Sequence, residues 1–212
     1  MTHYAKIFFS SLIALALGFA CGYLFSSKFC SISIGKRVEK ISTLNHTLRK
    51  LLCNNVIWTH EYLKSTFFFI ADKDAAAEKL SKNNQEIGAI IKAYYGTTAG
   101  QKVSEILDKQ KPILNKAMAA VKFHDDAKND LAKIASSLAE YLQELNPNWS
   151  NAPDFADSMI TKTGSAFIQS MQEWHNKNWG QSLALFENNL DLSRASADEL
   201  DRAITQQFPH KF

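Results

Sequence analysis

The chain has 212 residues, 46% apolar and 21% charged, with a formal charge of +3, a composition ordinary for a globular protein. The near-balanced charge demands no acidic partner, and no long basic stripe with interleaved aromatics is present, so nucleic acid is not an expected partner. Four Pro and eight Gly are few for this length and favour long helices over a sheet with many turns.

Residues 1–6 form a short tail. The run from Ile7 to Phe25, IFFSSLIALALGFACGYLF, carries no charge. About 19 residues at the helical rise span close to the thickness of a hydrocarbon core, so the spacing predicts a transmembrane helix. A cleaved signal peptide is the competing reading, with Ala20 or Cys21 near the cleavage point, but the run exceeds a usual signal core. Gly18 and Gly22 form a GxxxG, which lets two helices approach closely in lipid and offers a route to self-association. The expected setting is a single-pass protein of a bacterial inner membrane. Lys28, Lys36, Arg37 and Lys40 after the run favour a cytoplasmic C-terminal side, whereas the base rate for short N-terminal anchors favours the opposite face. Both orientations stay open, with a slight lean to the extracytoplasmic one.

Residues 26–37 read as a polar, Ser-rich linker that keeps the next domain near lipid headgroups. The bundle is expected over 38–207. Its first helix carries a stripe at Leu44, Leu48, Leu51, Asn55, Thr59, Tyr62, Thr66 and Phe69, recurring every three or four positions. Phe67-Phe68-Phe69 is expected in the core; any part left exposed becomes a partner or membrane contact. Ala71 to Asp74 reads as a turn, with Asp72 or Asp74 as a helix cap. A short helix to Lys82 is expected to break at Asn83-Asn84, followed by a helix from Gln85 to Tyr94 closed by Gly96 in the left-handed conformation. Thr97 or Thr98 opens a helix reaching about Lys122, loosened near Asp108 by Pro112.

His124 to Asp126 reads as a turn, and Ala127 to Leu145 as a helix. The stretch from Asn146 to Pro153 is a loop, with Asn151 as the following cap and Pro153 in the first turn. Phe155 to Asn176 is helical. The last helix runs from about Gly180 to Gln206 on a stripe of Leu183, Phe186, Leu190 and Leu200, and 208–212 is a loose tail. The fold class is all-α: an antiparallel bundle of four long helices plus shorter ones after the membrane helix. Cys21, Cys30 and Cys53 match no zinc or redox spacing and read as free thiols.

Trp58-Thr59, the run IGAIIKAYYG from Ile87 to Gly96, NPNW from Asn146 to Trp149 and ADEL from Ala197 to Leu200 follow in an order that resembles a family of small uncharacterised bacterial helical-bundle proteins. The resemblance covers about residues 48–204 and implies a fold but no activity. The family has a His where this chain has Asn55 and an Arg where it has His60. It has a further His at each of the positions matching Gln110 and Thr163. If those His form a metal or haem-type site in relatives, the resemblance implies that this chain has lost the ligands.

Asn55 and Thr59 lie one turn apart and share a helix face. Gln110 precedes Pro112, and Thr163 directly precedes Gly164, so both stand beside a helix irregularity where backbone groups are freed. With His60 these residues form a candidate ligand-binding cluster in the bundle core. The bland alternative is a self-satisfied polar network, because an unpaired buried polar group costs about 1–3 kcal/mol. None of the six His has a Glu three residues before it, so no bundle-type metal motif is present. No nucleophile elbow, Gly-rich loop or carboxylate pair marks an active site, so no catalytic residue and no cofactor is assigned. Trp58, Trp149, Trp174 and Trp179 are expected in core or loop packing. The functional reading is a protein-interaction or scaffold module at the lipid bilayer; the alternative is a small-ligand or metal-binding bundle.

Overall fold

The computed structural model describes the backbone of residues 3–119 and 125–212 and the side chains of 35–118 and 126–212. Every element is helical: α1 (His3–Phe67), α2 (Lys73–Tyr95), α3 (Thr97–Asp108), α4 (Gln110–Ala119), α5 (Asp125–Leu145), α6 (Ala152–Ala156), a π turn (Asp157–Lys162), α7 (Thr163–His175), α8 (Trp179–Gln207) and a final 3-10 turn (Pro209–Lys211). Among the described residues no helix is long and apolar enough to cross a membrane. The apolar run at 7–25, with Gly18, Gly22 and Cys21, lies outside the residues whose side chains are described, as do Cys30 and the turn at His124.

Two compact units divide the chain, Met1–Thr43 with Phe212, and Leu44–Lys211. The first is helical through the stretch read as a linker. Its described part is exposed from Gly35 to Lys40, and the Thr43 hydroxyl donates to the Glu39 carbonyl at 2.8 Å.

The second unit is the bundle. Leu44, Leu48, Leu51, Leu52, Val56, Tyr62 and Leu63 of α1 are buried, the outcome of apolar residues recurring at helical spacing. Cross-helix bonds set the directions. On α1 and α8, Arg49 meets Asp198 whereas His60 meets Phe186, so the two run antiparallel. Asn83 reaches back to the Leu51 carbonyl while Ser65 bonds Asp72, so α1 and α2 run antiparallel as well. At the centre Leu52, Ile87, Ile91, Leu107, Leu138 and Leu200 leave a cavity of only about 10 Å³.

Several sequence expectations change here. α2 is one helix, unbroken at Asn83-Asn84. Both amides are buried, and tertiary hydrogen bonds replace the local ones that make Asn a helix breaker. Asp72 stands at the start of α2 without capping it, because its carboxylate accepts the Ser65 hydroxyl at 2.6 Å; Asn151 likewise makes no side-chain cap. Gly96 has positive φ, but at φ 95° and ψ 169° it lies in the extended mirror region open to glycine, not in the left-handed helical one.

Pro112 has the expected effect. Its ring conflicts with the Asp108 carbonyl four residues back, and the helix is interrupted at Lys109, between α3 and α4. The helix around Gly164 is also irregular, with the π turn ending at Lys162.

α8 turns a face inward that the expected stripe missed. Ser182, Asn189, Ser193 and Ser196 are buried along with Leu200, whereas Leu183 is 62% exposed. Small side chains let α7 and α8 approach closely, and Ser170 and Ser182 bond each other's carbonyls at 3.0 and 2.9 Å. The tail is docked, not loose. Phe208 packs on Tyr95 with ring centroids 5.1 Å apart, and Lys211 donates to the Ala93 carbonyl at 3.0 Å.

Candidate functional site

The residues singled out for a ligand cluster fall into separate groups. Asn55 donates to the Asn84 side-chain oxygen at 2.7 Å, and Asn84 donates in turn to the Asp108 carboxylate at 2.8 Å. Lys111 pairs with Asp108 at 3.0 Å and also meets the Ser81 hydroxyl. Gln110, half-buried, sits beside this network at the α3–α4 interruption. Thr59 is buried one turn beyond Asn55. Thr163 belongs elsewhere: its hydroxyl bonds the Met159 carbonyl at 2.6 Å, and Asn189 of α8 donates to its carbonyl at 3.3 Å. His60 leans on Phe186 with centroids 4.7 Å apart, and burial lowers its pKa, which keeps the ring neutral at pH 7. Among the described residues no hydrogen bond links the Asn55 group to Thr163 or His60. No three His, Cys, Asp or Glu among them could hold a metal ion.

Asn84 is the residue the sequence reading missed. It relays the network between α1 and α3, and its adjacency to Asn83 inside an otherwise good helical segment was the available signal.

Three of the motifs singled out in the sequence, the Ile87–Gly96 run, NPNW and ADEL, meet at one pole of the bundle. Trp149 of NPNW donates its indole N–H to Glu199 of ADEL at 2.9 Å, Asn146 donates to the Ala203 carbonyl at 3.2 Å, and Tyr94 and Tyr95 pack on Phe208. Burial pushes the Tyr95 phenol up to about 12. A polar cavity of about 120 Å³ opens there, lined by Asn148, Trp149, Glu199, Arg202 and Gln207 among others.

The other pole is apolar. α1 and α7 both end there, and α8 begins. Phe67 and Phe68 meet edge to face at 4.9 Å, Phe68 lies 4.2 Å from Trp174, and Trp174 lies 4.9 Å from Trp179. Beyond this ladder Phe69 is 94% exposed, Trp179 is 48% exposed, and Leu183 continues the face one turn along α8. Phe67 and Phe68 are half-buried and Phe69 is exposed, so the expectation that Phe67-Phe68-Phe69 is core is corrected. Of the four tryptophans expected in core or loop packing, Trp149 is buried and Trp58 half-buried, whereas Trp174 and Trp179 are in ring contact with each other but remain exposed.

The backbone explains why Phe69 projects. The Ile70 N–H bonds the Ser65 carbonyl at 2.9 Å and Phe69 has φ 54°, the six-to-one closure of a Schellman cap with Phe69 at the left-handed position. α7 ends the same way. The Asn178 N–H bonds the Glu173 carbonyl at 2.8 Å, the Lys177 N–H bonds the Trp174 carbonyl at 3.1 Å, and Lys177 has φ 64°. Glycine ordinarily takes that position, and an L side chain there costs about 1–2 kcal/mol. Phe69 and Lys177 are the non-glycine residues with positive φ among those described, and both sit in the turns of this pole.

No protein-family model matches the chain, and neither does any curated protein or solved structure.

Proposed function

We propose that the protein is a non-enzymatic interaction module, held at a membrane by residues 7–25, whose working surface is the aromatic pole of its bundle. The observation that carries this reading is Phe69, 94% exposed in a strained turn. A large apolar ring in water at a left-handed position serves neither packing nor turn geometry, and exposed apolar patches mark contact surfaces. Gly18 and Gly22 supply a separate means of pairing copies within the bilayer. The Asn55–Asn84–Asp108 chain favours the structural role for the polar core, since each amide already has a partner.

A photoreactive phenylalanine analogue at position 69 of the full chain in native membranes tests the reading. Adducts at 69, and none with the same analogue at exposed Lys82, support it. Equal or absent labelling at the two positions overturns it.

A further inference from the structure

We infer that the groove between α5 and the π turn binds a linear polyamine, with ammonium groups on carboxylates and methylenes on alanine. The groove has a volume of about 410 Å³. α5 lines it with Ala135 and Ala139, both buried, and with half-buried Ala132, three positions that share one helix face. Their short side chains leave room for an alkyl chain. Three carboxylates border the same space: exposed Glu140 of α5, exposed Asp154 of α6 and half-buried Asp157 of the π turn. Among the described residues no three acidic or other metal-ligating side chains could hold a metal ion. The carboxylates are thus too spread to chelate one cation, and they suit charges spaced along a chain.

The nearby cations leave the balance acidic. Lys162 lies 3.2 Å from Asp157, a solvent-exposed pair of the kind that contributes little and exchanges readily. Lys133 is held by Asp130 at 2.8 Å. Along α5, Lys128 precedes Ala132 by one turn, and Glu144 follows Glu140 by one turn and offsets it.

Thr161 separates this groove from an ordinary acidic surface. It lines the groove, is 7% exposed, and its buried hydroxyl has no hydrogen-bond partner among the described residues. Helical threonines commonly bond the carbonyl four residues back, as Thr163 does at 2.6 Å and Thr205 at 2.9 Å. Thr161 instead stands in the π turn Asp157–Lys162, a backbone distortion frequent at functional sites. A buried hydroxyl left unpaired costs free energy, and its lone pairs accept readily from an ammonium donor.

The test is titration calorimetry of the full chain in neutral detergent, with spermidine as the probe at low ionic strength. Saturable binding of one spermidine per chain is expected, weakening as salt rises. Thr161→Val lowers the affinity about tenfold, the loss of one charge-assisted hydrogen bond, and leaves the surface charge unchanged. Glu140→Gln with Asp154→Asn lowers it about fivefold and flattens the salt dependence. Ala132→Leu, at a half-buried position, fills the groove and blocks binding. A circular dichroism melt verifies that each variant is folded. Magnesium chloride at matched ionic strength gives no saturable binding. Absence of spermidine binding overturns the inference, as does a folded Thr161→Val chain that binds as well as wild type. Saturable magnesium binding at the same residues also overturns it, in favour of a metal ion.

Discussion

The α2–α3 hairpin and the aromatic pole both demand unusual backbone, and they meet the demand in opposite ways. In the hairpin the sequence supplies glycine. Gly96 takes the positive φ between the helices, and Gly88 and Gly100 face each other so closely that a Cβ on either would stand 2.4–2.5 Å from the other's carbonyl oxygen. At the aromatic pole two helices end in turns that favour glycine, and the sequence supplies Phe69 and Lys177. Residue choice in the first region lowers the energy of the fold. In the second it raises it, and the side chains gained in exchange reach solvent. That strain, returned by no packing, is what motivates the proposal of a contact surface at this pole.

The largest expected effect lies in the hairpin. Gly100→Ala destabilises by about 3 kcal/mol, because the added Cβ meets the Gly88 carbonyl oxygen at 2.4 Å and the backbones must separate. A drop in the urea midpoint without a change in slope measures it. A Gly100→Ala chain as stable as wild type would show that the two helices are not in backbone contact. Asn84→Leu comes next, at about 2 kcal/mol. It fits the buried volume but leaves the Asn55 amide without its partner and takes one donor from the Asp108 carboxylate, which keeps Lys111. Asn55→Leu combined with Asn84→Leu should recover part of that loss, a coupling that a double-mutant cycle reads directly.

The same contrast separates what the sequence discloses from what it hides. The all-helical class, the start and end of α8, the reach of α5 and the interruption before Pro112 follow from periodicity and from proline's missing N–H, which are local. Asn83 and Asn84 read locally as a break, yet tertiary partners on α1 and α3 hold them in helix. The inward face of α8 was hidden for a related reason. Ser182, Asn189, Ser193 and Ser196 point inward at helical spacing, but a search for apolar stripes follows Leu183 and Leu190 instead. At the candidate site, helical spacing puts Asn55 and Thr59 one turn apart on α1. Proximity between helices is not written in spacing, so Gln110 and Thr163 were joined to them by inference alone. Phe69 was read as core because three consecutive Phe suggest burial. The cue to the contrary was the lack of Gly or Asn where α1 must stop.

The smallest expected effect bears most directly on the comparison. Phe69→Gly and Lys177→Gly should each stabilise the bundle, by about 1 kcal/mol, once the steric cost of an L residue in the left-handed region is set against glycine's greater freedom in the unfolded chain. Neither exchange removes core packing, since both residues are exposed. Thermal or urea melts of the two variants provide the measurement. If both are stabilised, the two turns of this pole hold strain that glycine relieves. If Phe69→Gly instead destabilises as a core substitution would, Phe69 packs against the bundle in solution, and the contrast between the two regions disappears.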